Sequence, residues 1–234
     1  MKTRFKNYLD ILLDFVYPRI CLSCEKNVLG AEKHICIECI MSIPKTNSHF
    51  QQIELIERKF WGKLNVKHVY SFLKFSKKGK VQNILHALKY KNKPELGEYI
   101  GKMYANDLKE IDFAKNIDLI LGIPLHTDKF KLRGYNQADE FAKGLSAGLN
   151  VPFDTTSFVR TTFTISQTKT KSRFFRFKNI EGVFEVIDKS QIKGKRIALV
   201  DDVLTTGSTI EEAGNALLGA GCMELYIITI AAAY

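Results

Sequence analysis

The sequence predicts an α/β fold: a mostly parallel sheet with helices on both faces, plus a small N-terminal cysteine module. Two observations carry this. From about residue 67, apolar strand-like runs alternate with segments at helical spacing, the order that sandwiches a parallel sheet between helices. Before that, four cysteines fall in two close pairs, Cys21-x-x-Cys24 and Cys36-x-x-Cys39. The 234 residues accommodate one ordinary domain with a small appendage. A hydrophobic content of 45% with 26% charged residues is that of a soluble globular chain. No segment reaches the roughly 18 apolar residues that span a bilayer, so no transmembrane segment is expected.

In chain order, Tyr8, Ile11, Leu12, Phe15 and Val16 come first, at helical spacing. Asp10 and Asp14 interrupt that run and no small-residue cleavage site follows it. The expectation is an amphipathic helix docked on the protein, rather than an export signal or a membrane-surface anchor. Next, each CxxC pair can turn two thiolates toward one ion, and two such knuckles close a tetrahedral site of four thiolates. Zinc there would be structural, ordering a segment with little core of its own. Disulfides would need an oxidising compartment, and a redox CxxC should open a helix after a strand. His34 and His49 lie near, but Cys21, Cys24, Cys36 and Cys39 already fill a shell of four. Residues 1–45 are thus read as N-terminal helix and zinc module, and 46–66, with scattered charges and Trp61-Gly62, as a connector. Residues 67–234 are the main domain.

Within that domain His68 to Phe75 reads as a strand, and Val81, Ile84, Leu85 and Leu88 mark a helix. A second helix runs from Glu95 to about Lys109, and a buried strand from Ile117 to Ile123. Ala138, Phe141, Ala142, Leu145 and Leu149 form a helical face. Phe184 to Ile187 is a short strand, Ile197 to Val200 a buried one, Ile210 to Leu218 a helix and Leu225 to Ala231 a final strand. Cys222 stands alone as a small core or loop residue.

Two constellations bear chemistry. The run Ile197 to Val200 leads into Asp201 and Asp202, then Thr205-Thr206-Gly207-Ser208-Thr209 and a helix. Such a loop can wrap a phosphate in backbone N–H groups, with help from the helix dipole. The acid pair suits sugar hydroxyls, or hydrated Mg²⁺ bound beside them. Gly214, Gly219 and Gly221 have neither the spacing nor the position of GxGxxG, and GxxxxGK[ST] is absent. The plain alternative is an ordinary turn with solvated acids and Thr209 as helix cap. The second constellation is Ile123-Pro124-Leu125-His126, then Lys129, Lys131 and Arg133-Gly134-Tyr135-Asn136-Gln137. Arg133 offers a rigid fork to diphosphate oxygens, Gly134 allows close backbone approach, and Asn136 can cap a helix. Both follow buried strands, so both can meet at one edge of the sheet, where open α/β sheets bind ligands.

The net charge of +10 favours polyanionic partners, though a solvated basic surface accounts for it too. Residues 74–93 hold seven lysines and no acid; residues 155–180 hold six Lys/Arg and no acid. The second run also carries Phe158, Phe163, Phe174, Phe175 and Phe177, a composition suited to stacking on single-stranded DNA.

Val200 to Thr209 resembles the phosphoribosyl pyrophosphate (PRPP) motif of type I phosphoribosyltransferases. The resemblance implies that Asp201 and Asp202 approach the ribose 2′- and 3′-hydroxyls while Thr205, Thr206, Gly207, Ser208 and Thr209 hold the 5′-phosphate. Hypoxanthine/guanine salvage members carry an Asp where this chain has Thr205, which weakens a purine-salvage reading. The order of features is broader: the double CxxC, Leu88-Lys89-Tyr90, the Ile123–Gln137 constellation, a basic stretch with Arg160 and Gln167, and Val200 to Thr209. Together they resemble the ComF family of competence-associated phosphoribosyltransferase-like proteins over nearly the whole chain. That implies a type I phosphoribosyltransferase-like fold, a cytoplasmic location, and a part in DNA uptake during natural transformation beside a helicase-like partner. On this reading PRPP binds with Mg²⁺ between Asp201, Asp202 and the Thr205–Thr209 loop on one side and Arg133, Gly134, Asn136 and Gln137 on the other. Residues 155–180 form a mobile hood whose Lys169 or Arg173, with Lys171 and Arg176, closes over the diphosphate. Asp201, Asp202 and Arg133 act at the reacting centre. Two functions stay open: a phosphoribosyltransferase whose acceptor cannot be read, and a non-catalytic PRPP- or phosphate-sensing adaptor that binds single-stranded DNA or a helicase-like partner.

Overall fold

A computed structural model of the chain describes residues 19–28, 33–161 and 183–234. The helix expected over Tyr8 to Val16 lies outside these residues. So do Phe163, Gln167, Lys169, Lys171, Arg173, Phe174, Phe175, Arg176 and Phe177 of the expected hood.

Five parallel strands form the sheet: β1 (His68–Lys74), β2 (Leu119–Gly122), β3 (Phe153–Asp154), β6 (Arg196–Leu204) and β7 (Glu224–Ala232), in the order β1-β7-β6-β2-β3. A separate antiparallel pair joins β4 (Phe158–Arg160) to β5 (Phe184–Val186). The central strands read as continuous apolar runs because both of their faces are covered. Alternate residues divide between two cores, as the strand period of two requires. Ala198 and Val200 face one core, with Phe141 and Leu145 of α6 (Gln137–Leu149) and Ile100 and Tyr104 of α4 (Pro94–Lys109). Ile197 and Leu199 face the other, with Ile210, Ala213 and Leu217 of α7 (Ser208–Gly219).

Helices α4 and α6 pack backbone to backbone through glycines. A Cβ on Gly101 would collide with the Phe141 carbonyl oxygen and lie 2.8 Å from the Gly144 Cα, while one on Gly97 would lie 2.8 Å from the Glu140 Cβ. Across the sheet's other end, Arg196 clamps Asp118 at the start of β2, Nε–Oδ2 3.0 Å and Nη2–Oδ1 2.8 Å. Those bonds hold the Asp118 carboxyl down to about 2.

Three expectations are amended. The strand expected to end at Val200 runs on to Leu204, so both acids lie within β6. Pairing with β7 continues there (Asp201↔Thr229, Val203↔Ala231), whereas pairing with β2 stops at Gly122↔Val200. An unexpected helix, α5 (Thr127–Arg133), buries no residue, so it leaves no apolar period to read. Residues 46–66 also do more than connect. They include the short helix α2 (Glu54–Glu57), and Ile56, Phe60 and Leu64 are buried in the second core. Just before them, the Thr46 N–H donates to the Phe72 carbonyl at 3.0 Å and the Lys74 N–H to the Pro44 carbonyl at 2.8 Å, covering the free edge of β1. The cysteine module, which holds α1 (Ile37–Ser42), shares the first core: Cys21, Val28, Ile35 and Cys39 pack with Val81 and Ile84 of α3 (Lys80–Tyr90).

Gly101→Ala forces apart two backbones that have no slack, and is expected to destabilise the protein by about 3 kcal/mol in chemical denaturation. Gly219→Ala, whose Cβ meets nothing within 4 Å, is the control and should change stability by less than about 1 kcal/mol.

Candidate functional site

Because β2 ends one residue before Asp201 while β7 continues, the C-terminal end of β6 has one open flank. A cleft of about 340 Å³ occupies it. The cleft brings the two constellations together: Lys129, Arg133, Asn136 and Gln137 on one side, Asp201, Asp202, Thr205 and Thr209 on the other. A smaller hollow of about 30 Å³ adjoins it, lined by Asp201 and by Thr205, Thr206, Gly207, Ser208 and Thr209.

The loop from Thr205 to Gly207 carries β6 into α7. Gly207, at φ +89°, supplies the left-handed turn that starts the helix. No side chain caps α7, so Thr209 is not its cap, and no side chain takes up its N-terminal N–H groups. The loop is backed from behind. Lys59 Nζ donates to the Thr205 carbonyl at 2.6 Å. Phe60 fills the space beside Gly207, where a Cβ would come within 3.1 Å of its ring.

The acids are electrostatically unequal. Lys89, from the last turn of α3, places Nζ 2.9 Å from Oδ2 of Asp202. The Asp202 N–H donates to Oδ1 of Asp201 at 2.7 Å. Burial, and after it the charge of Asp202, pushes the Asp201 carboxyl up to about 7, against the pull of that amide, Lys89 and Lys129.

On the opposite wall, Arg133 Nη1 donates to Oε1 of Gln137 at 2.7 Å, and its guanidinium lies 5.6 Å from the Tyr90 ring centre. Its Nε is buried and unpaired among the described residues, as is that of Arg160, which lies over the Phe184 ring. Asn136 caps α6, accepting from the Ala138 N–H at 3.2 Å, and donates to the Ile123 carbonyl at 2.9 Å. Gln137 is buried and steadies Arg133. Gly134 ends α5 at φ +77°, and a Cβ there would meet nothing; its backbone conformation, not crowding, calls for glycine. Phe158 is buried against Phe184, so it is a core residue and not a stacking platform.

Sequence reasoning assigned no site role to Lys59, Lys89 or Arg160. Lys89 stood in the quoted Leu88-Lys89-Tyr90 stretch and Arg160 in a basic run, but an ion pair spanning 113 residues of chain leaves no local signal.

The second candidate site is the cysteine cluster. All four cysteines are free thiols, with ligand atoms within 4.8 Å of one another and Cys24 Sγ 3.8 Å from Cys36 Sγ. Zinc–sulfur bonds of about 2.3 Å imply sulfur–sulfur edges of about 3.8 Å in a tetrahedron. The N–H groups of Ser23 and Cys36 donate to Cys21 Sγ at 3.4 and 3.3 Å, the outer support that a metal-bound thiolate takes. The four cysteines could therefore hold a zinc ion. Cys222 is a buried core residue whose thiol donates to the Glu224 carbonyl.

Among the described residues, no helix is long and apolar enough to cross a membrane. Residues 133–233 match the family model of the phosphoribosyl transferase domain. The chain is 26% identical over 218 residues to the DNA utilization protein YhgH of Escherichia coli (strain K12), covering 89% of each. It is 33% identical over 128 residues to Competence protein F of Haemophilus influenzae, covering 54% of this chain and 56% of that one. Among solved structures, the glutamine PRPP amidotransferase from B. subtilis is 19% identical with a TM-score of 0.41. That likeness covers 56% of this chain and 25% of that one.

Protein purified without added metal is expected to carry about one zinc per chain by atomic absorption; substantially less, with incomplete loading excluded, would overturn the four-thiolate assignment. Asp201 makes a stability prediction with a definite sign. Its folded value lies above its ordinary 3.8, so the native state loses stability as pH rises from about 4 to about 7. Ligand-free Asp201→Asn should melt about 3 °C or more above the parent near pH 8, with the gap closing toward pH 4.

Proposed function

As the chain belongs to the ComF family of phosphoribosyltransferase-domain proteins, we propose that it binds PRPP with Mg²⁺ in the cleft at the end of β6. Its parallel sheet with helices on both faces is the type I phosphoribosyltransferase fold. The observation that carries the proposal is the meeting, in one cleft, of an acid pair, a Thr/Gly/Ser loop at a helix N-terminus and Arg133. Asp201 and Asp202 accept hydrogen bonds from the ribose hydroxyls. Thr205, Thr206, Gly207, Ser208 and Thr209 wrap the 5′-phosphate, with the α7 dipole adding to their N–H groups. Arg133 takes diphosphate oxygens with the donors Gln137 leaves it, and Gly134, Asn136 and Gln137 hold that wall in place. Lys169 and Arg173, outside the described residues, complete the diphosphate contacts.

If transfer follows, the bond from ribose C1 to the pyrophosphate oxygen breaks and the acceptor forms a new bond at C1. Positive charge develops on the ribose while Arg133 stabilises the leaving oxygens by preorganised electrostatics. The carboxylates of Asp201 and Asp202 are hard oxygen donors that suit Mg²⁺, which when bound supplies further charge for the departing pyrophosphate. Thr205, in place of a purine-reading Asp, argues against hypoxanthine/guanine salvage.

The printed names of the relatives, a DNA utilization protein and a competence protein, support a role in DNA uptake. We place that role in the cytoplasm beside a helicase-like partner. The net charge of +10 favours a second reading, a phosphate-sensing adaptor that binds single-stranded DNA or that partner without turnover.

Calorimetric titration of PRPP with Mg²⁺ should give saturable binding, and Asp201→Asn with Asp202→Asn should weaken it by about tenfold or more. Unchanged affinity in the double variant would remove the ribose assignment. Pyrophosphate release stimulated by some base or amine supports the transferase. Salt-dependent DNA binding with no release under any acceptor supports the adaptor.

A further inference from the structure

Resting on the nucleic-acid reading given above as the second function, we propose that Trp61 and the cations around it form a docking surface for single-stranded nucleic acid, apart from the cleft. Trp61, the one tryptophan of the chain, is 61% exposed, although it stands between Phe60 and Leu64, which are buried in the second core. It lines an open groove of about 550 Å³ with Glu57, Lys63, Asn65 and Lys67. This groove shares no lining residue with the cleft.

The ring and the charges beside it are free. Phe50 and Tyr90 are exposed to the same degree, but Phe50 lies 4.1 Å from the His49 ring centre. Tyr90 packs on His86 at 4.9 Å and on Arg133 at 5.6 Å. Trp61 has no ring or cation against it among the described residues, and its indole N–H has no acceptor there. Residues 58–67 hold Arg58, Lys59, Lys63 and Lys67 and no acid. Lys59 is taken by the Thr205 carbonyl, and Lys67 meets Glu224 at 3.2 Å. Arg58 and Lys63 are exposed and make no ion pair among the described residues. Glu57, the acid in the groove's lining, is engaged by His68, Nδ1 to Oε1 2.9 Å.

A base beside its own phosphate answers both features in one ligand: the base stacks on the indole and the phosphate meets Arg58 or Lys63. An acidic peptide would answer the cations and leave the ring bare, and a duplex keeps its base faces stacked inside. Phe158, the described ring of the stretch expected to stack on DNA, is buried, whereas Trp61 is open to a ligand. The platform is also stiff. Phe60 packs beside Gly207, and the Lys63 and Leu64 N–H groups both donate to the Phe60 carbonyl at 3.0 Å. A ring held in place in advance loses less conformational freedom on binding.

The test titrates the full chain with oligothymidylate of about 20 nucleotides at low salt, read by anisotropy of a labelled strand and by the fluorescence of Trp61 itself. The parent should bind saturably with quenching of Trp61, and affinity should fall as salt rises. Trp61→Ala should bind about tenfold more weakly, and Trp61→Phe should recover most of the loss. Arg58→Ala with Lys63→Ala should flatten the salt dependence. All three side chains are exposed, so the thermal melt of each variant should match the parent's. Trp61→Ala binding as tightly as the parent overturns the proposal and leaves the nucleic-acid reading to another surface. Equal binding and quenching by a duplex of the same length, or by polyglutamate, also overturns it, since charge alone or an acidic protein would then be the fit. A parent that binds no strand at low salt removes the nucleic-acid reading itself, and the proposal with it.

Discussion

Two carboxylates on consecutive residues of a central strand are the constraint around which this molecule is arranged. Neither can be enclosed and ionised without compensation, because burial and the neighbouring charge both favour protonation. The fold meets this by stopping β2 at Gly122, which opens one flank of β6, and by bringing Lys89 across to Asp202. The Asp202 amide serves Asp201, whose carboxyl still rises to about 7. Holding this acid pair thus costs the ligand-free protein stability, a common feature of functional sites.

Everything that touches this pair is braced by something farther out. The Thr205–Gly207 loop rests on Lys59 and Phe60, from a segment whose Ile56 and Leu64 complete the second core. Arg133 is steadied by Gln137, and the turn before α6 is held by Asn136, which ties Ala138 to Ile123. Helix α6, on which Gln137 sits, packs against α4 at glycines where a Cβ would not fit. The cysteine module shares the first core and meets α3 at Asn83, so the helix bearing Lys89 runs between the cysteine cluster and the acid pair. Charged and polar groups held in this way are preorganised for electrostatic recognition.

Much of the sheet was legible because its central strands are apolar on both faces and its main helices carry clear stripes. The readings that failed share one cause. Helix α5 buries nothing, so no periodicity announces it. The extension of β6 through Asp201 and Asp202 depends on β7 still being alongside, a fact about a neighbour and not about the residues themselves. Residues 46–66 looked like a spacer because, although Ile56, Phe60 and Leu64 recur every four residues, charged and polar residues surround them and only Glu54–Glu57 is helical; their burial comes from what packs on them. Phe158 sat in a basic, aromatic run yet is buried, because burial is decided by what packs on it.

The sequence by itself determined the chemistry on offer: two acids before a Thr/Gly/Ser loop, a guanidinium before a helix, and four thiols in two knuckles. Those are local patterns, and local patterns survive in one dimension. The tertiary structure alone decided which charges meet, that Lys89 faces Asp202, that Lys59 braces Thr205 and that Arg160 joins the cleft. It also decided that Gly134 is needed for its backbone angle and Gly101 for the approach of another helix. Contacts between residues distant in the chain are made by packing, and packing has no fixed spacing in sequence.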